Sequence, residues 1–256
     1  MIRNLKLTLA YDGTDFSGWQ VQPDVPTIQG TLASAIGRVT GESVLPQGSG
    51  RTDAGVHALG QVVTFTTASP IPAENLVKAL NDVLPDAIRV LDATEVSADF
   101  HARTSARAKT YRYRIFRERI CPPSLTRYVW HFPYPLDEEA IQRGAAVIRG
   151  DHDFTSFAAV DPERGRKAGE NSNVRTIFSS VSERCGEEFV YTVRGNGFLH
   201  HMVRNLVGTF VLVGKGSLRV EDIARILEAR DRSAAGATAP ARGLWLVNVE
   251  YETSGA

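Results

Sequence analysis

Polar and apolar residues alternate along residues 4–11 (NLKLTLAY), the period of a strand with one face buried. After Pro26-Thr27 the spacing changes. Ile28, Leu32, Ala35, Ile36 and Val39 recur on one face of a helix, with Thr27 as a fair N-cap. Residues 61–67 (QVVTFTT) form a β-branched run and predict a strand. Residues 73–83 predict a helix with Leu76, Val77 and Leu80 inward, and residues 88–96 another strand. A second cycle begins with a strand over 108–117 (AKTYRYRIFR) and a helix over 137–149, whose first turn is acidic, as the helix dipole favours. Strands over 174–184 and 187–194 flank Cys185-Gly186 as a hairpin. Helices over 198–213 and 220–230 and a closing strand over 244–251 follow.

The order β-α-β-α-β, then β-α-β-β-α-α-β, fits an α/β (α+β) protein of two halves with largely antiparallel sheets better than a doubly wound parallel fold. The expected halves are 1–104 and 105–256, with a polar loop over 161–172. A chain of 256 residues has the length for two ordinary domains. Its two cysteines make no disulfide framework, which suits a reducing cytoplasm. The first residues hold no apolar stretch of signal-peptide length, and the run 206–213 falls far short of the ~20 residues of a membrane span. HExxH, CxxC and phosphate-loop patterns are absent, so metal and cofactor are both expected to be none.

Net charge is zero, which excludes a generally basic coat for nucleic acid. The sum is an average. Residues 100–130 carry eight cations (Arg103, Arg107, Lys109, Arg112, Arg114, Arg117, Arg119 and Arg127) against the single acid Glu118, a local +7 that leaves the remainder at −7. Of the 29 cations 24 are Arg, the side chain suited to bidentate phosphate contacts and to stacking on bases. In the strand 108–117, arginines beside tyrosines suit an RNA surface. The alternative is an edge strand whose arginines pair with nearby acids.

Candidate chemistry concentrates in residues 47–58, QGSGRTDAGVHA. Three glycines and several small residues surround one carboxylate, Asp53, with Arg51 two positions before it. Such a loop turns tightly and admits a substrate closely. An Asp beside Gly also serves in turns that bond their own backbone, so both readings stand at this point.

The block GRTDAGVHA resembles the catalytic loop of the tRNA pseudouridine synthases that act on uridines 38, 39 and 40 of the anticodon stem-loop. Similar blocks recur in order: YDGTDFSGWQ at 11–20, FHAR at 100–103, KTYRYRI at 109–115, DFTSF at 153–157, FLHHMVRNLVG at 198–208 and APARGLWLVNVEY at 239–251. The resemblance implies the pseudouridine synthase fold, two ferredoxin-like or RRM-like halves meeting at a central catalytic cleft, and an isomerase without cofactor or metal. It implies that Asp53 is the catalytic nucleophile, with its attack at C1′ or ring C6, or removal of a sugar proton, left open. Arg204 matches the basic partner of that Asp, with a surface helix cation as the alternative. Tyr111 matches the tyrosine that packs on the target base, and Tyr113 on the same strand face is its rival. Arg51 would hold the flipped nucleotide or fill its vacated place; bonding to loop carbonyls is the other role open to it. His57, His200 and His201 fit structural or phosphate-contacting roles better than acid–base ones, since no Ser or Cys nucleophile accompanies them. The family further implies tRNA as substrate, base flipping, a homodimer and a cytoplasmic location.

Two other classes compete. A non-catalytic pair of RRM-like modules calls for RNP-type aromatic motifs, which the chain lacks. An Asp-dependent glycosylase or hydrolase predicts a free base as product.

Overall fold

The computed structural model describes residues 2–160 and 172–252. The described chain forms a mixed α/β protein in two compact units: residues 1–109 with 245–256, and residues 110–244.

In the first unit, β1 (Arg3–Tyr11) keeps Leu5, Leu7, Leu9 and Tyr11 buried, one residue in two, as its alternation requires. Helix α1 (Ile28–Thr40) buries Ile28, Leu32, Ala35 and Ile36, and α2 (Ala73–Val83) buries Leu76 and Leu80. Thr27 caps α1 by accepting from Gly30 N. The short β2 (Gln47–Gly48) lies beside β3 (His57–Thr67), and β4 (Ile88–Val96) pairs with β1. β1 runs antiparallel to both β3 and β4, with Leu7 opposite Val63 and Ala93. The chain's last strand, β10 (Leu244–Tyr251), joins β3 in parallel, Trp245 opposite His57. The strand order is thus β4-β1-β3-β10.

In the second unit the order is β5-β9-β8-β7. Here β5 spans Ala106–Phe116, with its first residues in the other unit. β6 (Trp130–His131) runs parallel beside it, and β7 is Gly150–Asp153. The long hairpin β8 (Val174–Cys185) and β9 (Glu188–Gly195) turns through Gly186 at φ 60°. Helix α3 (Glu138–Val147), capped by Asp137 Oδ1 accepting from Ala140 N, packs with α4 (Met202–Gly214); α5 (Asp222–Ala229) completes the unit.

Two differences from the sequence reading have physical causes. The expected division places the closing strand in the second half, whereas it belongs to the compact unit of residues 1–109 through its pairing with β3. Periodicity reports which face of a strand is buried, not which distant partner it finds. The helix expected from residue 198 begins at Met202. Leu199 is buried and extends the apolar period by a turn, but His201 takes the left-handed conformation at φ 58° and ends helical backbone before it. The strands of two to four residues, β2, β6 and β7, are too short to show any period. The expected loop at 161–172 lies, but for its last residue, outside the described residues.

Helix α4 is clasped by the segment 236–239. Gly236 N donates to Thr209 Oγ1 (2.9 Å), Thr238 Oγ1 to Asn205 Oδ1 (2.7 Å), and Ala239 N to Arg204 O (3.1 Å). The approach is so close that a methyl group on Gly208 would overlap the carbonyl of Ala237. Gly208→Ala is expected to destabilise the protein by roughly 1–3 kcal/mol, the usual cost of overpacking. Urea unfolding checks this, and an unchanged midpoint would show that the clasp yields freely.

Candidate active site

The loop from Ser49 to Val56 crosses the first unit between β2 and β3, and donors from three other segments fix its backbone. Trp19 N donates to Thr52 O (3.0 Å), Gln61 Nε2 to Gly50 O (3.0 Å), and Lys109 Nζ to Ser49 O (2.6 Å). Ser49 N returns a bond to Val62 O, and Val56 N closes a turn onto Asp53 O (3.1 Å). Asp53 itself is half-buried and Arg51 exposed.

Two neighbours press on this loop from the β1 side. Gly18 sits at φ +89°, and a Cβ there would lie 2.7 Å from Thr52 O. Its following residue, Trp19, is 2% exposed and turns its indole across Gly48. Beneath the loop, Tyr11 Oη lies 2.9 Å from Thr52 Oγ1. Burial pushes the Tyr11 phenol up to about 12, against the opposing pull of its bonds to Thr52 and Gln61. It therefore stays a neutral hydroxyl at physiological pH.

His57 is fully buried, its ring stacked on Trp245 at 4.4 Å between centroids. Nδ1 is 3.1 Å from Gly13 N and 3.2 Å from Asp12 Oδ1. The Gly13 N–H donates to Nδ1, and the Asp12 carboxylate oxygen accepts from Thr14 N and Thr14 Oγ1.

The second unit holds the other two residues singled out by sequence. Tyr111 on β5 is 8% exposed, its ring edge-on to Phe198 at 5.0 Å. Its rival Tyr113 is wholly buried, and its hydroxyl donates to Pro240 O at 2.7 Å. Desolvation raises the Tyr113 phenol far above its ordinary value despite the nearby charges of Arg204 and Arg242. Tyr113 is a core tyrosine. Arg204 lies in the first turn of α4, half-buried, with Nε donating to Ala239 O at 2.8 Å. The clasp of 236–239 against α4 thus fixes its guanidinium.

Part of the +7 segment is neutralised by acids from elsewhere. Arg114 makes a two-pronged bond to Glu188 (2.7 and 2.5 Å), Arg117 meets Glu138 (3.3 Å), and Arg107 meets Glu252. Arg103, Arg112, Arg119 and Arg127 are exposed. Within the strand, the pairing with acids that one reading expected is present for Arg114 and Arg117.

Of the residues that support the loop, Tyr11 and Trp19 fall in the block 11–20 and Lys109 in the block 109–115, while Gln61 lies outside every block. Gln61 is the single amide in a β-branched run, and this is the only mark it bears.

A carboxylate on a braced glycine-rich loop, in a two-unit α/β chain with basic and aromatic residues on its strands, does not by itself identify a reaction. The comparisons do. The family model described as tRNA pseudouridine synthase matches residues 8–105 and 145–252, including the Asp53 loop and the Arg204 helix. The protein is 53% identical to tRNA pseudouridine synthase A of Solibacter usitatus over 98% of this chain and 100% of that one. It is 50% identical to tRNA pseudouridine synthase A of Moorella thermoacetica (96% and 99% covered) and 47% identical to that of Brevibacillus brevis (98% and 100%). The chain belongs to the tRNA pseudouridine synthase family, and its mixed α/β fold is that family's. It is an isomerase that acts on tRNA.

Gly18 and Gly41 both occupy left-handed backbone, φ +89° and +76°, but nothing lies within 4 Å of a Cβ on Gly41. Alanine at either costs about 1–2 kcal/mol of backbone strain. Only Gly18→Ala also pushes on Thr52 O. Pseudouridine formation is expected to fall at least about ten-fold in Gly18→Ala, since small displacements of catalytic groups are costly, and to hold near the native rate in Gly41→Ala. Equal rates in both variants would show that the loop is indifferent to its neighbour.

Proposed function

We propose that this isomerase converts uridines 38, 39 and 40 of the tRNA anticodon stem-loop to pseudouridine, with Asp53 as nucleophile. The observation that supports the reading most is the bracing of the Asp53 loop. Three backbone carbonyls, of Ser49, Gly50 and Thr52, are held by donors from separate elements around a half-buried carboxylate. Such fixing is what a positioned nucleophile needs.

In this reading the Asp53 carboxylate forms a covalent link to the target nucleoside as the C1′–N1 bond breaks. The freed uracil turns, and C1′ bonds to C5 as the link to Asp53 breaks and the carboxylate is regenerated. The hydrogen at C5 leaves as a proton and N1 gains one, so the RNA keeps its composition. Arg204 acts as the basic partner of Asp53. The Tyr111 ring packs on the target base, a contact worth about 1–3 kcal/mol, and Arg51 holds the nucleotide outside its stack. Extruding a stem uridine costs a few kcal/mol, which these contacts offset. The wholly buried Tyr113 with its spent hydroxyl favours Tyr111 for the stacking role. On the same family grounds the enzyme works as a cytoplasmic homodimer, which light scattering of the purified protein checks.

With C5-tritiated tRNA, the native enzyme is expected to release tritium and leave the RNA mass unchanged. A pseudouridine-specific label should map the product to positions 38–40. Asp53→Asn should retain tRNA binding and lose at least about 10³-fold in rate, as loss of a nucleophile does. Native turnover by Asp53→Asn would remove the residue from the mechanism, and a free base among the products would replace the isomerase by a glycosylase.

A further inference from the structure

Four polar side chains lie beneath the Asp53 loop, where an ordinary core would be aliphatic. Ser49 and Gln61 are fully buried, Tyr11 is 3% exposed and Thr52 7%. Burying an amide, a phenol and two hydroxyls is costly unless each finds a partner, and here each does. Gln61 Oε1 accepts from Ser49 Oγ at 2.6 Å. Its Nε2 donates to Gly50 O at 3.0 Å and, over 3.5 Å, to Tyr11 Oη. The Tyr11 hydroxyl in turn shares a hydrogen bond with Thr52 Oγ1, 2.9 Å away. Thr52 is the residue before Asp53.

The geometry depends on a slip in the sheet. Leu9 faces Gln61, but Tyr11 faces Ala58, so β3 carries one more residue than β1 across this step. Such a bulge turns side chains from their regular direction. A satisfied buried network rigidifies the backbone it touches. This one touches Ser49, Gly50 and Thr52, and none of its four side chains belongs to a residue more than 7% exposed.

We infer that Gln61 and Tyr11 are positioning residues for Asp53: through Gly50 O, Ser49 and Thr52 they hold the loop in the conformation that presents the carboxylate, and so set the rate of the chemical step and not the affinity for tRNA. The inference rests on the proposed role of Asp53. Neither residue is assigned contact with the uridine, and the sequence resemblance assigns neither a role.

The test is single-turnover pseudouridine formation with the full-length enzyme in saturating excess over C5-tritiated tRNA, alongside tRNA binding and thermal unfolding. Tyr11→Phe, which deletes one oxygen, Gln61→Met and Thr52→Val are each expected to slow the single-turnover rate about 10- to 100-fold, the effect of a misplaced catalytic group. Their tRNA Kd should stay within about two-fold of native. Thr52→Ser, which keeps the oxygen, should recover most of the rate lost in Thr52→Val. Native single-turnover rates in Tyr11→Phe and Thr52→Val, measured well below their Tm, would overturn the inference and leave the network a stabilising role alone. A loss of tRNA affinity with an unchanged rate would overturn it equally. If Gln61→Met does not fold, the Tyr11 and Thr52 variants carry the test. Asp53→Asn is run in parallel: its activity at the native rate would sink the reading of Asp53. An inactive Asp53→Asn beside a native-rate Tyr11→Phe would sink the positioning inference alone.

Discussion

The bond from Trp19 N to Thr52 O fixes the residue before Asp53, and much of the first unit follows from it. For the indole's own backbone to reach that carbonyl, Gly18 must adopt left-handed φ with no side chain in the way. The same turn sends Gly18 O and Trp19 O to the first amides of α1, at Ile28 and Gln29. The start of the helix is thus bonded to Gly18 and Trp19, and the seat of the loop to Trp19. Gln29 adds its amide to Pro46 O, on the approach to the loop from the other side. A loop rich in glycine has the most conformational freedom to lose on folding. Here that loss is offset by hydrogen bonds whose donors belong to elements already fixed by packing.

The second unit solves the corresponding problem for a cation. A guanidinium on a first helical turn has many rotamers. The return of segment 236–239 along α4 selects among them by placing Ala239 O before Nε. Close backbone contact at Gly208 makes that return possible, and Asn205, fully buried, accepts from both Thr238 and Arg232 to hold it. Main-chain and buried amide groups do the positioning in both units, while the side chains of the candidate chemistry sit at the surface of those frameworks.

The charge distribution is sharper than a neutral sum suggests. Arg114, Arg117 and Arg107 answer to Glu188, Glu138 and Glu252, so the surplus of residues 100–130 is not all available to a phosphate backbone. Arg103, Arg112, Arg119 and Arg127 are exposed. Arginine's two-pronged geometry serves the internal pairs as well as it would serve phosphate, and composition does not separate the two uses.

The sequence by itself determined the long elements, because alternation and helical spacing are local records of burial: β1, α1, α2, β4 and the β8–β9 hairpin lie close to where periodicity places them. It also determined the family, because blocks such as GRTDAGVHA and FLHHMVRNLVG are chemically constrained and stand in order. Only the tertiary structure decided that the last strand completes the first unit, that Tyr113 is wholly buried and Tyr111 8% exposed, and that Gln61 and Tyr11 sit beneath the Asp53 loop. Each of these depends on partners dozens of residues away, and the last also on a one-residue slip between β1 and β3. A hydrogen bond across such a separation leaves no period in the chain. An isolated glutamine among valines shows that something polar is buried, but only the fold shows what it holds.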